Sequence, residues 1–385
     1  MSLASITLPN RHQERWRYVD FSCIRERAWI TCDFPDIALL HHQINAYRLK
    51  AGEYVLIVIV NGHLIAELSD LHRLPKEVTA TSFQASHHDD HALGSPFSEL
   101  NLSTCHHGLS LLLPDDCVLD IPLHLLHLSF GREAYFTQTH HVINMGKESR
   151  LTILEEHISL DETAHVMNMV MDMTLNKHAN LIYYKLQRNN REAIHIANTR
   201  IYQSENSHIT LSQFSHGAHF FRDDVVISLR GKNTNAQLSG FYCLDRDKQY
   251  GDHHIDILHE SSHSKSKMHY RGIIDHASKA VFNGRVKIHS FAHQSEAYQA
   301  NHHLLLSHEA EAYAKPELEI DADEVQCKHG ATAGNLDETA LFYLQSRGMA
   351  LHEARQCLLH AFANELIGNI SHPAIQAHIR EHVMS

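Results

Sequence analysis

The chain alternates hydrophobic and polar residues with a period of two over most of its length, as β-strands do. Between about residues 97 and 325, segments such as NLIYYKLQ, DVVISLRG, AVFNGRVKIH and LEIDADEV are bounded by Asn, Ser, Gly or Asp. Comparable segments open near Asn180, His208, Ala236 and Ser266, at separations of 28, 28 and 30 residues. Few two-residue hairpin turns separate them, so we predict a stacked parallel β-helix rather than a sandwich.

The two ends of the chain have a different pattern. Near the N-terminus, AGEYVLIVIVNGHLIAEL (51–68) predicts two apolar strands joined in a hairpin at Asn61-Gly62, after a charged, helix-compatible stretch. After Gly334 the spacing becomes helical, with Asp337 as a candidate N-cap. We therefore predict a mixed, partly helical α/β N-terminal region at 1–95, a mainly β core at 96–328 and a helical C-terminal domain at 329–385.

An apolar stripe follows the two predicted C-terminal helices at helical spacing. Its members are Leu341, Phe342, Leu344, Leu351, Ala354, Leu358, Leu359, Phe362 and Leu366. Such a stripe either docks a partner or caps the end of the solenoid. The pattern leaves both interpretations open.

Composition narrows the classes of function. The 385 residues carry a formal net charge of -12 without any Lys/Arg-rich run, which argues against a nucleic-acid partner. The longest uninterrupted apolar stretch, Tyr54–Val60, is too short to span a membrane, and the N-terminus lacks the apolar core of a secretory signal. Seven cysteines without a C-x-x-C indicate a reducing compartment. We therefore predict a cytoplasmic protein without membrane contact.

The sequence contains 38 histidines, many of them in adjacent pairs. The pairs are His41-His42, His87-His88, His106-His107, His140-His141, His253-His254 and His302-His303. Neighbouring residues on a strand point to opposite faces, so a pair cannot close on one ion by itself. We interpret the pairs as polar surface residues rather than metal sites.

The common nucleotide-binding and serine-hydrolase motifs are absent from the sequence. It has no G-x-x-x-x-G-K-[ST], G-x-G-x-x-G or G-x-S-x-G, and we predict that the chain is not an enzyme. One pair of side chains that bind soft metal ions, Cys327 and His329, lies near several acidic residues. Residues i and i+2 of an extended segment share a face, so thiolate and imidazole could meet one ion. The alternative is a cysteine packed at a strand end beside a surface histidine.

Several segments of the C-terminal third resemble a known family. In order, they are YRGI (270–273), VFNG (281–284), LLLS (304–307), KPELEI (315–320), DADE (321–324) and CKHGAT (327–332). They closely resemble the SufB/SufD family of iron-sulfur cluster assembly proteins. The Cys-x-His-Gly form at 327–330 and the opening segment LPNRHQERWRYVDFS are most similar to SufD.

The resemblance implies a right-handed parallel β-helix and a non-catalytic scaffold subunit of the SUF complex. Its partners would be SufB, as a heterodimer, and the ATPase SufC, received by the C-terminal helices. Nascent clusters would form transiently at the SufB interface, with His329 and Cys327 as iron or cluster ligands. A reduced flavin is possible in the complex, whereas the isolated chain would hold no cofactor tightly. An exposed end or edge of the β-helix makes a homodimer of the isolated chain possible. The alternative is a free-standing histidine-rich metal-binding protein or a β-helix enzyme.

Overall fold

The computed structural model describes residues 7–9, 12–32, 37, 40–83 and 95–383. Within these residues twenty strands form two sheets. The strands are β1 Ile30–Thr31, β2 Val55–Val60, β3 His63–Leu64, β4 Thr79–Ser82, β5 Leu109–Leu113, β6 Leu123–Ser129, β7 Tyr135–Met145, β8 Arg150–Ser159, β9 His165–Leu175, β10 Asn180–Arg188, β11 Ile194–Gln203, β12 His208–His216, β13 Phe220–Leu229, β14 Asn235–Leu244, β15 Tyr250–His259, β16 Lys265–Ile274, β17 Lys279–Ile288, β18 Glu296–Leu305, β19 Glu311–Ile320 and β20 Gln326–Gly334. The α-helices are α1 Ser22–Arg25, α2 Leu40–Gln43, α3 Pro96–Thr104, α4 Glu338–Ser346, α5 Leu351–Ile367 and α6 Pro373–Val383, with short 3-10 turns at Glu14–Trp16, Ile44–Tyr47, Ala66–Leu68 and Leu71–Arg73.

The two sheets stack alternate strands in parallel. In the first sheet β5 pairs β7, then each odd-numbered strand pairs the next, ending at β19; in the second, β6 pairs β8 and the series ends at β20. Each odd strand and the even strand that follows it make one coil, and about eight coils stack. The predicted parallel β-helix is confirmed. The predicted repeat corresponds to strands of the second sheet, where Asn180 lies beside His208 and Ala236 beside Ser266.

A residue with left-handed backbone turns each of seven corners between the first and second sheets. These residues are Glu148, His178, Asn206, Asn233, His263, Gln294 and Glu324, with φ between 55° and 61°. The amide of Asn206 donates to the carbonyl of Lys232 in the next coil at 2.9 Å, and the amides of Glu148, His178, Asn233, His263 and Gln294 also donate to the next coil. These hydrogen bonds offset the cost of the left-handed conformation, which is unfavourable for residues with a Cβ.

The interior between the sheets has an apolar side and a polar side. On β8, Leu151 and Ile153 belong to the main hydrophobic core, whereas Glu155 and His157 continue the same inward face and are fully buried. The same change occurs along β10, where Leu181 and Tyr183 precede the buried Lys185. The alternation of inward and outward side chains therefore continues past the apolar residues, into strand positions that are polar and yet buried.

The interpretation of the histidine pairs as surface residues is wrong for the pairs inside the solenoid. His140, His141, His253 and His254 are all buried, and burial lowers the pKa of His253 to about 4. As expected, neighbours point to opposite faces: His141 faces the interior near His127, while His140 faces outward and contacts Asp172 at 2.9 Å. The pair at 87–88 lies outside the described residues.

Both ends of the chain pack on outer faces of the sheets. The predicted hairpin at Asn61-Gly62 is confirmed, and its first strand, β2, extends the second sheet by pairing β6. An aromatic cluster of Trp16, Phe21 and Phe97 covers the first sheet beside Phe220. The domain boundaries at residues 95 and 328 stay a prediction. Strand β2, which precedes residue 95, already belongs to the second sheet, and strand β20 continues past residue 328. Among the described helices, none has the length and apolar character needed to cross a membrane.

Candidate functional site at the open end of the solenoid

The last coil has one uncovered side. Strand β19 pairs only with β17, and β20 pairs only with β18, so each leaves a full-length edge without a strand partner among the described residues. Their burial differs sharply from the coils below: no residue of β19 or β20 is buried, whereas β17 and β18 alternate buried and half-buried positions. Open edges of this length are ready sites for pairing with another chain.

Cys327 and His329 both lie on the inward face of β20. Cys327 is in register with Ala297 and His329 with Gln299, and these two partners are 0% and 5% exposed inside the solenoid. The prediction that thiol and imidazole share one face is therefore confirmed. His329 is exposed because no further coil among the described residues covers this position, while Cys327 is half-buried against the core. Cys327 is the second residue of β20 and packs against the core beside an exposed histidine, so the alternative of strand-end packing also fits these positions.

Burial raises the pKa of the Cys327 thiol above its ordinary value of 9.0. The thiol is therefore protonated at neutral pH in the isolated chain. A soft metal ion binds the thiolate, so binding there would have to release this proton.

The outward face of β20 is open as well. A Cβ built on Gly330 or Gly334, which alternate with the inward-facing residues, would meet no atom within 4 Å. Across the coil, β19 contributes apolar side chains to the inward side, because Leu318 lies beside the core residue Val286 and Ile320 beside Ile288. Ile320 is 43% exposed, which is high for a large aliphatic side chain. The end of the solenoid thus combines an apolar strip with a thiol and an imidazole.

Charged groups near this end are neutralised on its outer face. Glu319 forms ion pairs with Lys287 at 3.1 Å and with Arg285 at 3.4 Å, and Lys315 pairs with Glu14 and Glu317. These ion pairs tie β19 to β17 and to the N-terminal segment. The inward side of the last coil carries no such pairs among the described residues, which suits the core of an interface, where charged residues are depleted.

The apolar stripe of the C-terminal helices divides into two parts. Leu366 and Ile367, in the second half of α5, are buried against the second sheet in a cluster that includes Phe241 and the α6 residue Ile375. The guanidinium of Arg271 reinforces this contact, since it lies 4.6 Å from the Phe362 ring centroid. The N-terminal part of the stripe, around α4, is not covered in this way.

Around α4 the apolar residues face outward. Phe342 is 71% exposed, Tyr343 is 62% exposed and Leu351 is 56% exposed. The helix itself is well formed, because Asp337 accepts from the amide of Thr339 at 2.8 Å and so confirms the predicted N-cap. The C-terminal part of the stripe therefore packs on the outer face of the second sheet and does not cap the end of the solenoid. The part around α4 has an uncovered apolar face, and its docking to a partner stays a prediction.

Groups of three closely spaced metal-ligating side chains occur elsewhere in the described residues. One is His127, His141 and Glu155 in the interior; the other is Glu156, His378 and His382, where α6 packs on the second sheet. In the second group, Glu156 contacts His378 at 3.0 Å and the Arg188 guanidinium at 2.7 Å. Sequence reasoning missed both groups, because their members are distant in the chain. Only the spacing of His378 and His382, one helical turn apart, could have signalled one of them.

Comparison with known proteins places this architecture in a family. The family model for the SUF system FeS cluster assembly, SufBD core domain, matches residues 129–362. The chain belongs to the SufBD family. The match runs from the end of β6 into α5, so it includes the open coil with Cys327 and His329.

Two relatives of this SufBD protein match nearly its whole length, and a third matches about three quarters of it. An iron-sulfur cluster assembly SufBD family protein of Synechocystis sp. is 27% identical over 98% of this chain and 87% of its own. The iron-sulfur cluster assembly protein SufD of Escherichia coli is 26% identical over 93% of this chain and 84% of its own. SufD of Bacillus subtilis is 23% identical over 73% of this chain and 64% of its own. The resemblance to the SufB/SufD family is therefore confirmed.

Proposed function

We propose that this chain is a SufD-like, non-catalytic scaffold subunit of a cytoplasmic SUF complex that builds nascent iron-sulfur clusters. The observation that carries the proposal is the uncovered last coil, which presents Cys327 and His329 on one side beyond the buried core. Two protein ligands cannot hold a cluster. A subunit that covers this coil would supply the remaining ligands and exclude water, and the family resemblance points to SufB for that role.

The apolar face around α4 supports a second contact. Phe342, Tyr343 and Leu351 are exposed on a helix pair that is held to the solenoid by its other end. Exposed aromatic residues on a rigid support are typical of binding sites. We assign this face to the ATPase SufC, whose nucleotide-driven movements would reach the solenoid through α5.

Assembly tests the proposal directly. The chain is co-expressed with SufB and SufC, and the mixture is separated by size-exclusion chromatography. We expect one complex that contains all three proteins. A chain that elutes alone, or as a self-paired dimer in the presence of SufB, would contradict the proposal and favour a free-standing metal-binding protein.

A single substitution tests the ligand role. His329→Ala should leave the complex intact, because His329 is exposed in the isolated chain, but should lower the amount of cluster delivered to a co-expressed iron-sulfur reporter at least tenfold. His308→Ala, in the exposed turn between β18 and β19, is the matched control. Full maturation with His329→Ala would remove this residue from the site. The reduced flavin stays a prediction, and no residue is assigned to it.

A further inference from the structure

A row of inward side chains on the second sheet changes character directly beneath His329. Leu238, Met268 and Gln299 occupy the same register position on β14, β16 and β18. His329 takes this position on β20. Leu238 and Met268 belong to the main hydrophobic core. An amide therefore stands in place of an apolar side chain at the position of this row that adjoins the candidate ligand.

The side-chain amide of Gln299 is buried and unsatisfied. Gln299 is 5% exposed, and neither its Oε1 nor its Nε2 has a hydrogen-bond partner among the described residues. A buried polar group that is left unpaired costs about 1–3 kcal/mol, whereas an apolar side chain of the same shape avoids this cost. Packing of the core alone therefore favours a methionine here, as at Met268, and not a glutamine.

The first sheet leaves room for this amide. Gly284, on β17, is buried across from β18, and a Cβ built on it would lie 3.1 Å from Oε1 of Gln299 and 3.1 Å from the sulfur of Met268. Both separations are shorter than ordinary van der Waals contact, which is about 3.5–4.0 Å between carbon atoms. A residue with a Cβ at this position would press on the amide, and glycine does not.

Gln299 and His329 are close enough for a hydrogen bond between their side chains. They are in register on adjacent parallel strands, whose backbones lie about 4.8 Å apart. Both are on the inward side of their strands, and His329 is exposed, so its ring has room to turn toward the amide. Oε1 of Gln299 is an acceptor without a donor in the isolated chain.

A metal-binding imidazole needs such an acceptor. When one ring nitrogen binds a metal ion, the other carries a proton, and that N–H normally donates to a carboxylate, a carbonyl or water. The acceptor fixes the tautomer and the orientation of the ring. The carbonyl oxygen of a glutamine side chain offers the same lone pairs as a backbone carbonyl.

We propose that Gln299 is the positioning residue for His329: its Oε1 accepts from the ring N–H of His329 while the other ring nitrogen binds iron of a nascent cluster. This inference rests on the ligand role given to His329 in the proposed function. The hydrogen bond fixes which nitrogen faces the cluster and holds the ring on the inward side of the open coil. Binding at His329 also satisfies an acceptor that is buried and unpaired in the isolated chain.

The test separates positioning from folding. Gln299→Met keeps the length of the side chain, removes both polar atoms and copies the residue one coil below. The isolated variant should unfold at the same or a slightly higher denaturant concentration than the unaltered chain, because no hydrogen bond is lost. The complex with SufB and SufC should still assemble, but cluster delivery to the co-expressed reporter should fall about tenfold.

Two further variants identify the cause of that loss. Gln299→Glu keeps an acceptor oxygen at the same distance from the backbone, so it should restore most of the cluster delivery. Asn198→Leu is the matched control, because it removes another buried amide that has no hydrogen-bond partner among the described residues. Asn198 lies on β11, far from the open coil, so its replacement should leave cluster delivery unchanged.

The outcomes distinguish this inference from the proposed function. Full delivery with Gln299→Met, while His329→Ala lowers it, would overturn the positioning role alone. Full delivery with both variants would remove His329 from the site, and the positioning role with it. A Gln299→Met chain that is less stable, or that does not join the complex, would also overturn the proposal, because the amide would then serve the fold. Equal losses with Gln299→Met and Gln299→Glu in assembled complexes would show that the acceptor oxygen is not what matters.

Discussion

Two successive coils of this protein have the same design and opposite surroundings. In the coil of β17 and β18, the inward residues Ala297, Gln299 and Asn301 are at most 5% exposed. In the coil of β19 and β20, the residues in register with them are Cys327, His329 and Ala331, and none is buried. The chain thus repeats the solenoid once beyond the point where its own core ends. What is core in one coil becomes surface in the next.

The largest expected difference between these regions is in stability. Ile257 is fully buried, and Val286 separates it from Leu318 of the last coil along the same row of the first sheet. Ile257→Ala should lower the free energy of unfolding by about 2–5 kcal/mol, because it leaves a cavity. Leu318→Ala should cost under about 1 kcal/mol, since this side chain is already half-exposed. Denaturant unfolding of the isolated chain measures both, and equal losses would refute the contrast.

The covered coils should also respond to acid. Burial lowers the pKa of His259 from 6.5 to about 4, and Ser264 and Ser266 hydrogen-bond its two ring nitrogens. The unfolded chain takes up a proton below pH 6.5 that the folded chain refuses until about pH 4. Stability is therefore complete above pH 6.5 and falls as the pH drops toward 4, by up to about 3 kcal/mol for this residue.

Replacing His259 with glutamine keeps a hydrogen-bonding side chain and removes the titration. His259→Gln should therefore unfold with a shallower dependence on pH between 4 and 6.5 than the unaltered chain. Denaturant unfolding at a series of pH values provides the measurement. An unchanged slope would show that His259 carries none of the acid sensitivity.

The smallest effect on the isolated chain should come from a charge placed on the open coil. Ala331→Glu puts a carboxylate on the inward side of β20, where the side chain is exposed, so the free energy of unfolding should change by no more than about 0.5 kcal/mol. Pairing with a subunit that covers this coil should weaken at least tenfold, because the charge would be buried. Lys232→Glu, in an exposed turn of a covered coil, is the control. Undiminished pairing would show that the partner binds elsewhere.

Local sequence patterns predicted those elements of the fold whose conformation depends only on residues close together in the chain. Period-two alternation indicated the strands, Asn61-Gly62 the hairpin and Asp337 the start of α4. The shared face of Cys327 and His329 also follows from alternation alone. Patterns of this kind failed for the histidines, because polarity indicates a surface position and says nothing of a neighbour that could compensate burial.

The sequence by itself determined the repeat, the family and the residue types at the candidate cluster site. Only the tertiary structure decided which inward positions are covered, because coverage depends on whether another coil follows in space. It also divided the apolar stripe between Leu366, which is buried on the solenoid, and Phe342, which is exposed. It brought Glu155 beside His127, 28 positions away in the chain. Stacking creates such contacts between residues one coil apart, and no local periodicity records them.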